Sequence, residues 1–370
     1  MIIGIDGNEA NVARKVGIGE YSFAILSHFA KLQTNSTFYI YLKDTPRPDM
    51  PKETANWQYI LVKPHKLWTQ IGLPLYLFSH FPRPSVFFSP SHYAPRFSPV
   101  PTAIAIMDVS FLRFPNLFAA KDFYQLKNWT AYSAKHAAKI FTISTASKND
   151  ILSMYQKKTE DVIVTYPGIK KTMPSMLTKT ELQKKYTISD KYILFVGTLQ
   201  PRKNITALIE AFSKIKKDDL QLVIIGKKGW LYEEILAAPQ KCGVQDSVKF
   251  LDFVGDDDLP SFYKYALCYC LPSLYEGFGL PVLEAMQYGC PVITSKVSSL
   301  PEAGGDAALY VDPQNVDDIA KQLAKVVSDK NLREKMREKG YLHIKKFSWE
   351  KAAKETLAVL EQLGAQNGRA

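Results

Sequence analysis

The chain has 370 residues, of which 46% are hydrophobic and 22% charged, and it carries a net charge of +11. These values are ordinary for a soluble globular protein, and the length favours two domains with separate cores. The opening Met1–Asp6 run lacks the basic start and longer apolar stretch of a signal peptide, and no window reaches the ~18 uninterrupted apolar residues of a spanning helix, so neither secretion nor a membrane span is expected, and a cytoplasmic location is.

Short β-rich runs alternate with amphipathic stretches, the pattern of parallel sheets with crossover helices. In the first half the expected strands are 2–6, 38–42, 58–62, 86–88, 102–107, 140–143 and 161–164, with helices at 19–33, 121–138 and 146–155. Tyr166-Pro167-Gly168 and the Lys/Thr-rich stretch from Lys170 to Lys185 read as a linker. The second half restarts the rhythm. Its strands are expected at 192–196, 221–225, 248–250, 267–271, 291–294 and 308–311, and its helices at 203–215, 230–239, 256–265, 280–288, 315–328 and 330–345. A last amphipathic stretch runs from Ser348, a fitting N-cap, to Leu363. The expected domains are 1–175 with the terminal helix 348–370, and 186–347. Both read as Rossmann-like units whose ligand crevices face one another across a cleft.

The four cysteines (Cys242, Cys268, Cys270, Cys290) have no His-rich segment beside them; they read as buried free thiols, and no metal site is expected. Residues 1–190 hold 23 Lys/Arg against 13 Asp/Glu, whereas 191–370 hold 24 against 23. The excess suits an anionic partner, such as a phospholipid surface or phosphate-bearing acceptor, or equally a solvated basic face. Lys63 to Pro84 interleaves Lys63, His65, Lys66 and Arg83 with aromatic and aliphatic residues, which fits a lipid interface or a core helix. No nucleic-acid-binding motif accompanies the charge.

Three segments carry candidate chemistry. From Leu271 to Pro291 a strand ends in Pro272-Ser273, and a turn bearing Gly277 and Gly279 opens into a helix near Leu280. Glycines there let backbone approach a ligand closely, and the N–H groups of Phe278, Gly279 and Leu280 at a helix N-terminus suit a diphosphate. Glu276 precedes the turn and Glu284 lies inside the helix; as an isolated pair they would read as a helix cap and a surface ion pair. Within the full segment they read as ligand groups, Glu284 needing a partner such as ribose hydroxyls. The second segment, Phe195 to Asn204, contains Gly197, Thr198, Arg202 and Lys203 between a strand and a helix. Two cations at a helix start oppose its dipole unless an anion lies there. The third, Val16-Gly17-Ile18-Gly19-Glu20, is a weaker signal: a loop over a donor sugar, or a dinucleotide turn with Asp44 at a spacing not far wrong.

These segments resemble the family 4 retaining glycosyltransferases, which have the two-Rossmann GT-B fold, and the resemblance covers almost the whole chain. Glu276 to Glu284 is similar to that family's Glu–seven residues–Glu motif, and Pro201-Arg202-Lys203-Asn204 to its donor-phosphate lysine region. Ser299-Leu300-Pro301-Glu302, Gly305-Asp306-Ala307-Ala308 and Val311-Asp312-Pro313 resemble its closing signature, and Phe347-Ser348-Trp349-Glu350 the start of a last helix that crosses back to brace the first domain. The resemblance implies that Lys203 and Arg202 hold the diphosphate of a GDP- or UDP-linked donor, Glu284 the ribose and Glu276 the transferred sugar. Gly17, Gly19, Gly197, Thr198, Ser273, Gly277, Phe278, Gly279 and Leu280 would complete the donor site. It departs from the pattern at Met107-Asp108, where many members have His-Asp, and at Thr198, where many have arginine. Asp108 remains as a catalytic candidate, His92 could enter the same cleft, and Arg202 could supply the missing charge.

The subfamily looks like mannosyltransferases of surface-polysaccharide assembly, with a saccharide or polyprenyl-linked acceptor, no cofactor and a peripheral place on the inner membrane face. Competing readings are a nucleotide-sugar epimerase of the same architecture and a degenerate sugar-nucleotide-binding protein.

Overall fold

The computed structural model describes residues 1–118, 120–170, 175–217, 219–252 and 254–367. The chain divides into two compact units, Met1–Gly168 with Phe347–Ala370, and Ile169–Lys346.

In the first unit, β1 (Ile2–Asp6), β2 (Thr37–Leu42), β3 (Trp57–Leu61), β4 (Val86–Ser89), β5 (Thr102–Ala105), β6 (Lys139–Thr142) and β7 (Val162–Val164) form one parallel sheet, ordered β3-β2-β1-β4-β5-β6-β7. Strands covered on both faces read as continuous apolar runs; β4 and β5 are buried at every position. Its helices are α1 (Ile18–Phe29), α2 (Leu73–Ser79), α3 (Ser110–Arg113), α4 (Ala120–His136) and α5 (Thr145–Tyr155). The Ser144 hydroxyl starts α5 by accepting the Ser147 N–H at 2.9 Å.

The second unit carries α6 (Lys179–Tyr186), then β8 (Lys191–Val196), β9 (Leu220–Ile225), β10 (Val248–Leu251), β11 (Cys268–Leu271), β12 (Val292–Ser295) and β13 (Ala308–Val311) in the parallel order β10-β9-β8-β11-β12-β13. The connecting helices are α7 (Ile205–Ile215), α8 (Glu233–Lys241), α9 (Leu259–Tyr265), α10 (Leu280–Gln287), α11 (Leu300–Gly304), α12 (Val316–Ser328) and α13 (Lys330–His343). The last helix, α14 (Trp349–Asn367), belongs to the first unit. It buries Trp349, Ala352, Ala353, Leu357, Leu360 and Leu363 in a core shared with Ile3, Ile25, Phe29 and Phe88. Glu361 fixes its far end by accepting the Thr34 and Ser36 hydroxyls, each at 2.8 Å.

All thirteen expected strands appear within two residues of their expected ends. Several expectations need correction, and the helices expected at 230–239 and 256–265 are Glu233–Lys241 and Leu259–Tyr265. The stretch 170–185 is not all linker: 175–178 lead into α6, and Thr178 and Glu181 form a reciprocal capping box; residues 171–174 of that stretch, and 368–370 of the expected terminal helix, lie outside the described residues. The helix expected from 203 begins at Ile205, because Asn204 takes a left-handed φ of 58°. The helix expected to reach 33 ends at Phe29. Dividing the charge at the structural boundary leaves 21 basic against 14 acidic residues in the first unit and 26 against 22 in the second, +7 and +4. The lysines from 170 to 185 belong to the second unit, so the asymmetry shrinks. Among the described residues no helix is long and apolar enough to cross a membrane.

Candidate functional site

The two loops singled out in the second half leave neighbouring strands. β8 and β11 pair at the place where the strand order reverses, and open parallel sheets form ligand crevices at the carboxyl ends of such strands.

The loop after β8 begins with Gly197, whose N–H donates to the Ile225 carbonyl at 2.9 Å. A Cβ on Gly226, just beyond β9, would stand 1.9 Å from the Gly197 carbonyl oxygen, so only glycine allows this approach. Thr198 is exposed and stays outside the charge cluster described next. Pro201–Lys203 then form one 3₁₀ turn, placing both cations before α7 rather than in its first turn. Three bonds hold this loop, two to the loop after β11 and one to the loop after β13. Asn204 Nδ2 donates to the Pro272 and Pro313 carbonyls at 3.1 and 2.7 Å, and the Leu274 N–H donates to the Arg202 carbonyl at 2.9 Å.

That stitching brings together residues more than seventy positions apart. Lys203 Nζ lies 2.6 Å from Glu276 Oε1, Arg202 lies 3.1 Å from Glu276 Oε2, and the Ser273 hydroxyl donates to Oε1 at 2.7 Å. Arg202 also donates to the Tyr275 carbonyl. The Glu276 side chain is only 8% exposed, and those of Lys203 and Arg202 are 11% and 15%. Burial pushes the Glu276 carboxyl up, but the Lys203 and Arg202 charges and the bonds from Lys203 and Ser273 outweigh it and hold the pKa down to about 2. Glu276 is therefore a fixed anion between two cations and not a helix cap.

Sequence reasoning missed the groups that hold its backbone. The Ser298 and Ser299 hydroxyls donate to the Glu276 carbonyl at 2.6 and 2.8 Å, and the Glu276 N–H donates to Ser298 Oγ at 3.3 Å. Two adjacent serines just past β12, at the carboxyl edge of the same sheet, were the available signal. Gln200 was missed as well: it is buried, and its Oε1 has no hydrogen-bond partner among the described residues.

Gly277 and Phe278 are buried, and Gly279 takes φ 100° as the N-cap of α10. A Cβ at Gly279 would also meet Leu300 Cδ2 at 2.8 Å. Leu280 starts α10, and Pro281 occupies its first turn, where no N–H is required. Glu284, half-buried in that helix, accepts the Tyr263 hydroxyl at 3.2 Å. The partner expected from a ligand is thus supplied, at least once, by the protein. Burial first, then the charges of Glu276 and Glu284, push the Tyr269 hydroxyl well above its ordinary value.

The remaining candidates lie in the first unit, on loops after β1, β4 and β5. Gly17 takes φ 50° with open space around it. Gly19 is a packing residue, since a Cβ there would come within 3.0 Å of the Glu9 carbonyl oxygen. His92 is half-buried and its enclosed Nδ1 has no partner among the described residues. Burial lowers its pKa, with the Asp108 charge pulling the other way. Asp108 accepts the Ser110 N–H at 2.8 Å just ahead of α3, a structural task beside the catalytic one expected of it. Met107 packs against the first core. One group here escaped the sequence reading. Asp6, at the end of β1, is buried, and burial raises its pKa to about 6 despite two bonds from Asn8. Among the described residues no group of three or more His, Cys, Asp or Glu is placed to hold a metal ion.

Parallel α/β sheets of this kind, one with two half-buried cations beside a buried carboxylate at its switch point, form a recurrent class of ligand-binding architecture. Comparison with known proteins makes it specific. Residues 178–343 match the family model for glycosyl transferases group 1. O-antigen chain mannosyltransferase B of Escherichia coli is 32% identical over 259 residues, 68% of this chain and 67% of that protein. The MMP alpha-(1->4)-mannosyltransferase of Mycolicibacterium hassiacum is 28% identical over 236 residues, 62% of this chain and 55% of that one. Sucrose-phosphate synthase from Thermosynechococcus elongatus superposes with a TM-score of 0.77 over 99% of both chains at 17% identity, which speaks to fold alone. The chain belongs to the group 1 glycosyltransferases, and its two Rossmann-like units are those of the GT-B fold.

Proposed function

We propose that this glycosyltransferase moves a hexose, with mannose favoured, from a GDP- or UDP-linked donor to a saccharide or polyprenyl-linked acceptor, keeping the anomeric configuration. The observation that carries the reading is the convergence of Lys203, Arg202 and Glu276 at the β8–β11 switch point. Negative charge grows on the leaving diphosphate as the sugar departs, and two preorganised cations stabilise it more in the transition state than in the ground state. The acceptor proton passes to the leaving phosphate, so no resident cofactor is required. Glu276 faces the sugar and Glu284 the ribose. The names of the two relatives, O-antigen chain mannosyltransferase B and MMP alpha-(1->4)-mannosyltransferase, support mannose.

A donor screen tests the proposal: loss of GDP-mannose, UDP-glucose and other nucleotide sugars is followed with and without saccharide and lipid-linked acceptors, and the product anomer is read by NMR. Acceptor-dependent loss of donor with retention is expected. Acceptor-independent conversion would make the chain an epimerase, and tight binding without turnover a degenerate binder. Lys203→Ala should cost about 2–4 kcal/mol of transition-state stabilisation, read as a fall in kcat/KM. A near-native kcat/KM would remove Lys203 from the phosphate site.

A further inference from the structure

The segment from Lys63 to Pro84 forms a π-helical turn over Trp68–Gly72 that runs directly into α2. Trp68, Leu73 and Leu77, each 2% exposed or less, pack it onto the first unit's core. Between α2 and the outer strands this packing leaves a cavity of about 200 Å³. Tyr39 and Tyr41 of β2 stand in register with Gln58 and Ile60 of β3, and all four line it, because alternate residues of a strand share one face. Tyr76 and His80, about one helical turn apart, line it from the other side, their rings stacked at 3.8 Å with 7° between the planes. Phe81, Pro82 and Pro84 complete the lining just ahead of the amino end of β4. None of the candidate residues for transfer borders this cavity.

The chemistry of the lining selects a ligand. The hydroxyls of Tyr39, Tyr41 and Tyr76 have no hydrogen-bond partner among the described residues, although Tyr41 is only 2% exposed and its ring meets that of Tyr76 edge-on at 5.9 Å. A buried phenol ordinarily finds a partner, since leaving it without one forfeits its hydration for nothing. Burial first, then the neighbouring Tyr76 and Tyr39, push the Tyr41 hydroxyl up, so it stays neutral and can both donate and accept. No aspartate, glutamate, lysine or arginine lines the cavity, which therefore suits neither a metal cation nor a phosphate. What remains is flat aromatic surface edged with hydroxyls and one amide. A sugar ring is its complement, with C–H faces that lie against aromatic rings and hydroxyls that both donate and accept. We infer that this cavity binds a neutral hexopyranose ring, with the Tyr39, Tyr41 and Tyr76 hydroxyls and the Gln58 amide as its polar contacts. The inference does not rest on the transfer reaction, because the cavity is argued from its own lining and needs no donor to be filled.

Saturation-transfer NMR of the full chain with methyl α-mannopyranoside or methyl α-glucopyranoside, in the absence of any nucleotide sugar, tests it. Saturable binding is expected, and cyclohexanol, which offers a ring but a single hydroxyl, should bind at least several-fold more weakly. Tyr41→Phe removes one oxygen that has no protein partner, so the fold should keep its Tm while the Kd for the hexoside rises about fivefold. Tyr39→Phe should act in the same direction, and Tyr76→Ala, which takes away a ring face as well, should weaken binding further. Lys203→Ala and Asp108→Asn, in the second unit and on the loop after β5, should leave the Kd unchanged. Thermal melts monitor folding of every variant. No saturable binding, cyclohexanol bound as tightly as the hexosides, a Kd indifferent to both Tyr41→Phe and Tyr39→Phe, or loss of binding with Asp108→Asn or Lys203→Ala would overturn the inference.

Discussion

Two buried carboxylates, Glu276 and Asp6, are driven in opposite directions by their surroundings. Glu276 meets two cations and falls to about 2; Asp6 meets mainly burial and rises to about 6. A lowered carboxyl stabilises the fold above its unfolded value, and that contribution is lost as pH falls toward 2; a raised one favours the fold at low pH and loses that advantage as pH rises through about 6. Asp6→Asn should therefore raise the Tm at pH 7 to 8 and lose the gain near pH 4, an effect on the order of 2 kcal/mol. A Tm difference independent of pH would show that Asp6 stays ionised. Glu276→Gln should destabilise the protein by about 3–5 kcal/mol, because it leaves two buried cations without their anion. It should also tighten binding of a free nucleoside diphosphate, which otherwise shares Lys203 and Arg202 with Glu276, while impairing transfer. Calorimetry showing unchanged or weaker diphosphate affinity would separate the phosphate site from this cluster. Glu276, Lys203 and Arg202 were each singled out from their motifs. Their mutual pairing was not, because contacts spanning 73 residues exist only once the sheet order places β8 beside β11.

Elements with one clear period were readable, and those with two conflicting signals were not. The strands are apolar runs bounded by turn residues, and all were found. The helical segment 68–79 has apolar residues on both faces, so periodicity offered no choice between core and interface, and the structure buries one face and leaves the other exposed. α6 was hidden by lysine- and threonine-rich composition although its Thr-x-x-Glu start was in plain view. The Thr178 hydroxyl donates to Glu181 Oε2 at 2.7 Å and accepts the Glu181 N–H at 3.3 Å. Thr178→Ala should cost about 1 kcal/mol in urea unfolding of the second unit. No shift in the midpoint would mean that packing alone holds α6.

At the scale of the whole chain, the first unit is written in two pieces. Gly168, where the chain leaves it, lies against the point of return: a Cβ there would be 2.1 Å from the Trp349 nitrogen, and the Tyr166 and Phe347 rings meet edge-on at 5.9 Å. Ending the chain at Lys346 removes six buried apolar side chains of α14, of which Trp349 and the three leucines contribute about 1.5–3 kcal/mol each, together comparable to the roughly 5–15 kcal/mol that keeps a domain folded. Such a truncation should abolish the melting transition of the first unit and leave that of the second, read by calorimetry with limited proteolysis; two intact transitions would show that α14 is dispensable. The same arrangement orders events on the ribosome. Chains usually mature from the amino end forward, yet here the amino-terminal sheet waits, with Ile3, Phe29 and Phe88 lacking their last neighbours, until α14 has been made. The unit encoded second is the first that can be completed, and the nascent protein must keep its opening segments out of trouble while that unit is being synthesised.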